Sequence, residues 1–169
     1  MHQMNRLYLG KTRYVNDGIS MAEEFLKIAL EDEKVAELLS EQGYYNQSVY
    51  FFIQSMEKYI KYYICKKIDI SKEYFANKIR ETGHSLEGSV DFLIEIMSGN
   101  NIIMKKQISE QIKKKILRDA YFSKIYNAVR YPYYINETYK ILEMSYKDCE
   151  TIKRIYENLK YTLKELGKI

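Results

Sequence analysis

The side chains best suited to chemistry fall in three places. The first is a polar stripe, Asn46, Tyr50, Gln54, Glu57 and Lys61, whose spacing of three and four residues lines it along one edge of a helix. An amide, a carboxylate and an ammonium on one edge can bind a polar ligand, and Lys58 beside them adds a second cation. The same stripe also fits a solvated rim. The second place is Arg80-Glu81-Thr82-Gly83-His84. His84 is the only histidine away from the chain start, where His2 lies, and an imidazole can hold or move a proton near neutral pH. The third is Arg130-Tyr131-Pro132, at the end of a helical pattern and beside the one proline. A guanidinium fixed at such a turn can grip a phosphate or a carboxylate through its planar fork. The competing reading is an ion pair from Arg130 to Glu57 that locks two helices together. Both hold if Glu57 orients Arg130 and leaves one edge free.

The elements that must position these groups are helices. Between Gly43 and Lys67, the residues Tyr45, Val49, Phe52, Ile53, Met56, Tyr59, Ile60 and Tyr63 form one broad apolar arc. Phe51, Tyr62, Ser48 and Ser55 extend it beyond half the circumference, which predicts a central helix in a bundle with Phe52 and Met56 buried. Before it, a helix is expected over about Asp17–Leu39, with Phe25, Ile28, Ala29, Val35 and Leu38 facing inward. Ser71 is read as the N-cap of a short helix ending near Arg80, and Ser85 as the cap of the next, with Leu86, Val90, Leu93, Ile94 and Met97. Ser98-Gly99-Asn100-Asn101 is a loop. A fifth helix carries the stripes Ile108, Ile112, Ile116, Ala120 and Leu117, Tyr121, Ile125, Val129, and must stop before Pro132. Asn136 is read as the cap of a long last helix with Ile141, Leu142, Ile152, Ile155, Leu159, Leu163 and Leu166 inward, closed by Gly167. With no alternating pattern and no internal repeat, the expected fold is an all-α up-and-down bundle of five to six helices.

Length and composition narrow the function classes. The 169 residues, 46% hydrophobic and 30% charged, suit one domain over 15–169 behind a flexible segment over 1–14. No apolar run reaches the roughly 20 residues of a membrane span, and the start lacks a signal core, so a cytoplasmic protein without membrane attachment is expected. Cys65 and Cys149 lie within helical patterns and read as reduced, buried thiols. No glycine-rich phosphate loop, metal-ligand cluster or nucleophile elbow occurs, so neither metal nor cofactor is expected. The net charge of +4 is compatible with an anionic ligand. The run Lys105, Lys106, Lys113, Lys114, Lys115 and Arg118 spreads around its helix, as solvated lysines do. Eighteen tyrosines without a tryptophan suggest a base-stacking surface, but an AT-rich genome is the simpler account of them.

Three fragments in order carry a resemblance: Tyr45-Asn46, Tyr50-Phe51-Phe52, Gln54, Glu57-Lys58 and Lys61; then Gly83-His84-Ser85-Leu86; then Arg130-Tyr131-Pro132. Over about residues 15–165 the chain resembles the HEPN family of small helical proteins. The resemblance implies a homodimer and a toxin–antitoxin or phage-defence setting, beside a small nucleotidyltransferase-like antitoxin. It also implies one of two activities. Some members are metal-independent endoribonucleases whose motif is Arg, four to six residues, then His, in which His moves the proton of an RNA 2′-hydroxyl and Arg stabilises the phosphate charge. Here only three residues separate Arg80 from His84, and the late position holds Arg130 with no histidine. The chain therefore looks like the branch that binds a nucleotide or RNA without catalysis, with Arg130, Glu57, Lys58, Lys61, Gln54 and Asn46 as ligand-binding candidates. Were it an endoribonuclease toxin, Arg80, His84 and Arg130 would be the catalytic candidates. A pure dimerisation module is the third possibility.

Overall fold

The computed structural model describes residues 9–166. Among them are seven α-helices, a π-helical segment and a two-stranded hairpin: α1 (Gly18–Glu41), α2 (Tyr45–Lys67), α3 (Glu73–Glu81), α4 (Leu86–Ser98), α5 (Ile102–Ser109), the π segment (Glu110–Ile116), α6 (Phe122–Ala128), β1 (Tyr133–Ile135), β2 (Thr138–Lys140) and α7 (Tyr146–Leu166). Helix α2 is the axis of the all-α bundle. It packs against α1, α4, α6 and α7, and Val49, Phe52, Ile53, Met56, Ile60 and Ile64 on it are almost wholly buried. Phe122 of α6, Leu93 of α4 and Tyr156, Leu159 and Leu163 of α7 complete the core.

Asp17 caps α1 by accepting from the Ser20 amide, 2.8 Å. The face of α1 that meets α2 differs from expectation. Ile28, Val35 and Leu38 are exposed, and the buried apolar positions are Ala22, Ala36 and the expected Ala29, seven residues apart, with Ser40 buried beyond them. Small side chains let the two backbones approach closely. Ser48 and Ser55 of α2, also seven apart, donate to Ala36 O at 2.8 Å and Ala29 O at 2.6 Å. A seven-residue repeat keeps such a seam facing its partner along both helices.

Ser85 caps α4 as expected, accepting from Gly88 N at 3.0 Å. Ser71 does not cap α3. Its amide and hydroxyl both donate to Asp69, and the N-cap position falls to Lys72. The expected fifth helix is broken. Leu117 N–H reaches back to Ile112 O, the wide repeat of a π-helix, and Arg118 and Asp119 follow in the left-handed region at φ 56° and 53°. The break turns one helix into α5, the π segment and α6. It leaves Ile108, Ile112 and Ile116 buried but puts Tyr121 in solvent.

Asn136 caps no helix. It and Glu137 form the two-residue turn of the hairpin, both with positive φ (49° and 60°), the pairing that matches strand twist. Ile141 and Leu142 belong to the connector after β2, and α7 starts later, at Tyr146. Ser145 and Asp148 cap its start reciprocally: Asp148 accepts from Ser145 N at 2.8 Å, and Asp148 N donates to Ser145 Oγ at 3.3 Å. Gly167, read as the end of that helix, lies outside the described residues, as do His2 and most of the segment before residue 15. No helix among the described residues is long and apolar enough to cross a membrane.

Candidate functional site

Because α2 is surrounded, its polar stripe lies inside the protein, not at a solvated rim. Gln54, Glu57 and Lys61 are 5%, 2% and 6% exposed. Charges so placed need partners. Lys61 Nζ lies 2.7 Å from Glu57 Oε1 and donates to Gly83 O at 2.6 Å. Gln54 Nε2 approaches the other carboxylate oxygen at 3.5 Å. That same oxygen lies 3.7 Å from Nδ1 of His84, whose ring is otherwise in solvent. Gly83, at φ 52°, makes the turn that lets its carbonyl face Lys61 while His84 faces outward. The stripe on α2 thus fixes the Gly83–Ser85 turn, and the histidine sits on a buried carboxylate.

The same turn meets α6. Glu87, in the first turn of α4, accepts from Ser123 N at 3.0 Å and from the Ser123 hydroxyl, while Ser85 Oγ lies 3.4 Å from Ser123 Oγ. One carboxylate therefore sits at the N-terminal ends of α4 and α6, where both dipoles favour it. Anchored there, α6 turns Phe122, Tyr126 and Val129 inward. Tyr126 stacks on Tyr50 of α2, with ring centroids 5.0 Å apart and planes inclined by 25°. Burial, then the adjacent Tyr50 hydroxyl and the Glu57 carboxylate, push the Tyr126 phenol up to about 12 against the pull of Arg130. The phenol is neutral throughout the physiological range.

Arg130 lies on this aromatic floor. Its guanidinium carbon is 4.1 Å from the Tyr126 ring centre, 5.0 Å from Tyr131 and 5.4 Å from Tyr50. Nε donates to Tyr126 O at 3.2 Å and Nη2 to Asn127 Oδ1 at 3.0 Å. The ion pair with Glu57 does not form, because Glu57 is enclosed by Lys61, Gln54 and His84. Arg130 is instead exposed and has no carboxylate partner among the described residues. Beside it opens a groove of about 370 Å³ between α6 and the start of the hairpin, lined by Tyr121, Lys124, Asn127, Tyr131 and Tyr133 among others.

The remaining sequence candidates lie elsewhere or hold other partners. Asn46 donates to Leu142 O at 2.7 Å and Val129 O at 3.4 Å and accepts from Met144 N at 2.8 Å, so it pins the connector and the end of α6 to α2. Lys58 pairs with Asp32 of α1 and donates to Gln54 Oε1 at 3.1 Å. Arg80 is exposed in the last turn of α3. His84 lies 3.7 Å from Glu57, whereas Arg130 is held by Tyr126 and Asn127. Sequence reasoning missed Tyr126, Asn127 and the groove. Their signal was the aromatic spacing Tyr126–Arg130, one helical turn, which sets ring and guanidinium face to face. Cys65 and Cys149 are buried free thiols, and burial pushes Cys65 up to about 11. Among the described residues no three His, Cys, Asp or Glu side chains gather as a metal-binding group.

No curated protein and no solved structure is found to match the chain. The family model of the HEPN domain matches residues 22–159.

Proposed function

The chain belongs to the HEPN domain family, and from that membership we propose a module that binds a nucleotide or RNA and does not cleave it. The observation that carries this reading is Arg130, held by two hydrogen bonds on a tyrosine floor and in contact with Asn127 and Tyr131, which line an aromatic groove. A phosphate meets the open edge of the guanidinium, and a base lies against Tyr131 or Tyr121 in the groove. Lys124 on its wall adds charge. Glu57, Lys61 and Gln54 act from below by fixing the turn that carries His84 and by backing the Tyr50–Tyr126 stack.

Cleavage needs an imidazole and a cation converging on one phosphate. His84 and Arg130 make contacts with different groups, which favours binding over reaction. The family resemblance further supports a toxin–antitoxin or phage-defence setting, a nucleotidyltransferase-like partner and a homodimer. For the dimer, the two-sided exposure of Tyr134, Ile135 and Tyr139 on the hairpin supports the reading, since so short a ribbon is marginal without a cover.

The test is fluorescence anisotropy with short labelled RNA, in parallel with a cleavage assay in the presence of a chelator. Saturable binding of intact RNA is expected. Cleavage abolished by His84→Ala would replace this reading with an endoribonuclease toxin, and no binding of RNA or nucleotide would leave an interaction module.

A further inference from the structure

We infer that the Arg130 groove takes a single nucleic-acid strand of two or more nucleotides, bound with little preference among bases, and not a nucleoside triphosphate. The inference rests on the groove being the nucleic-acid site and names what enters it. Next to the groove lies a hollow of about 180 Å³, bordered by Glu87, Val90, Lys113 and Asp119 among others. Tyr121 lines both the groove and the hollow, and it is 65% exposed. An aromatic side chain so placed can stack with successive bases of a strand. A single nucleotide would leave one of the two spaces without an occupant.

The cations fit one phosphate per nucleotide. Arg130 spends Nε–H on Tyr126 O and one Nη2 hydrogen on Asn127 Oδ1, which leaves Nη1 and the other Nη2 hydrogen for a single phosphate. Lys124 is the one cation among the residues that line the groove, and it forms no ion pair among the described residues. The N-terminal end of α6 borders the groove and would otherwise attract phosphate, but it already holds the Glu87 carboxylate through Ser123 N at 3.0 Å. A triphosphate therefore finds neither a third cation nor a free helix end there. A strand spreads its charge one phosphate at a time.

The bases meet few polar groups free to read them. Asn127 Oδ1 accepts from Arg130, and its Nδ2 donates to Ser123 O at 2.9 Å. Ser123 gives its amide and its hydroxyl to Glu87. In the hollow, Glu87 is thereby occupied, and Lys113 pairs with Asp91. Asp119 is exposed and hydrated, so a base amine there only replaces water, at small net gain. What remains are tyrosine hydroxyls, which donate or accept as a base edge requires, and rings, which stack on any base.

The experiment is calorimetric titration of the full chain with the dinucleotides pApA, pCpC and pUpU, and with AMP, CMP, UMP and ATP. Each dinucleotide is expected to bind about tenfold more tightly than its monophosphate, as one added base stack supplies, and pApA more tightly than ATP. The three dinucleotides should agree within about fivefold. Tyr121→Ala should remove most of the dinucleotide's advantage, whereas Tyr121→Phe, which keeps the ring, should retain it. Both variants should melt with the parent, because the side chain is exposed. AMP or ATP bound as tightly as pApA, a wider spread among the dinucleotides, or an advantage that survives Tyr121→Ala overturns the inference and leaves the groove as a nucleotide site. Should none of these ligands bind, or should binding be unchanged in Arg130→Ala, the groove itself fails and the inference with it.

Discussion

Replacing Lys61 with methionine removes one member of the buried pair beneath the candidate site. Lys61 and Glu57 side chains are 8% and 3% exposed and their charged atoms are 2.7 Å apart. Methionine keeps much of the side-chain volume but leaves Glu57 in a dry interior, with Gln54 at 3.5 Å and His84 at 3.7 Å as its remaining polar contacts. Breaking a buried pair from one side costs about 3–5 kcal/mol. The lost bond to Gly83 O falls within that figure and is not added to it. For a chain of this size each kcal/mol moves the melting temperature by about 2–4 °C, so Lys61→Met should lower it by about 10 °C. Urea unfolding should shift in midpoint with an unchanged m-value. The companion variant, Glu57→Met with Lys61→Met, removes both charges. It should recover much of the loss but not all, since the Gly83 carbonyl still lacks its donor. A double-mutant cycle should therefore give a coupling of about 2 kcal/mol or more. Single effects that simply add in the double variant would refute the claim that this pair organises the interior.

Other outcomes follow from the packing. Phe52 is 1% exposed, and Phe52→Ala should cost about 3–5 kcal/mol in chemical denaturation. Ala36→Leu puts a large side chain into the seam where Ser48 bonds Ala36 O at 2.8 Å, and should destabilise by about 1–3 kcal/mol or more. Ser145 donates from its hydroxyl and its amide to Asp148 and holds that carboxyl below its ordinary 3.8. The stabilisation is thus complete above the unfolded value and lost as pH falls through the lower folded value. Asp148→Asn should remove that portion of the acid sensitivity below about pH 4 in pH-dependent melts, with the cap itself contributing about 1 kcal/mol. Tyr134→Ser with Tyr139→Ser should shift light scattering from dimer to monomer if the hairpin is the dimer contact.

How much of this was legible in the sequence depends on how local the signal is. Helix α2 and the Ser85 cap were readable because their determinants lie within one or two turns. The hairpin was not. Both faces of Tyr133–Lys140 are largely exposed, so no alternation marks it, and Glu137 is an unusual residue for a left-handed turn position. The π break was hidden because Ile108, Ile112 and Ile116 keep their four-residue spacing through it. Of the alanine seam only Ala29 was read as inward, because the larger Ile28, Val35 and Leu38 suggest a core face that solvent in fact occupies. At the site, Glu57, Lys61 and Arg130 were identifiable as residues. The contact of Lys61 with Gly83 was not, since it joins segments that no spacing relates, whereas the four-residue spacing of Tyr126 and Arg130 carried a signal that went unread.

The central claim is that Arg130 binds an anion and is not a lock on the bundle. Calorimetric titration of Arg130→Lys and Arg130→Ala with nucleotide and short RNA, with thermal melts of both, tests it most directly. Arg130 is exposed and unpaired with Glu57, so its stacking contributes only about 0.5–1 kcal/mol, and both variants should melt within a few degrees of the parent. Lysine keeps the charge but loses the planar fork, so both variants should lose affinity at the groove to nearly the same degree. Unchanged affinity alongside a large fall in melting temperature would contradict the account and return Arg130 to a structural role.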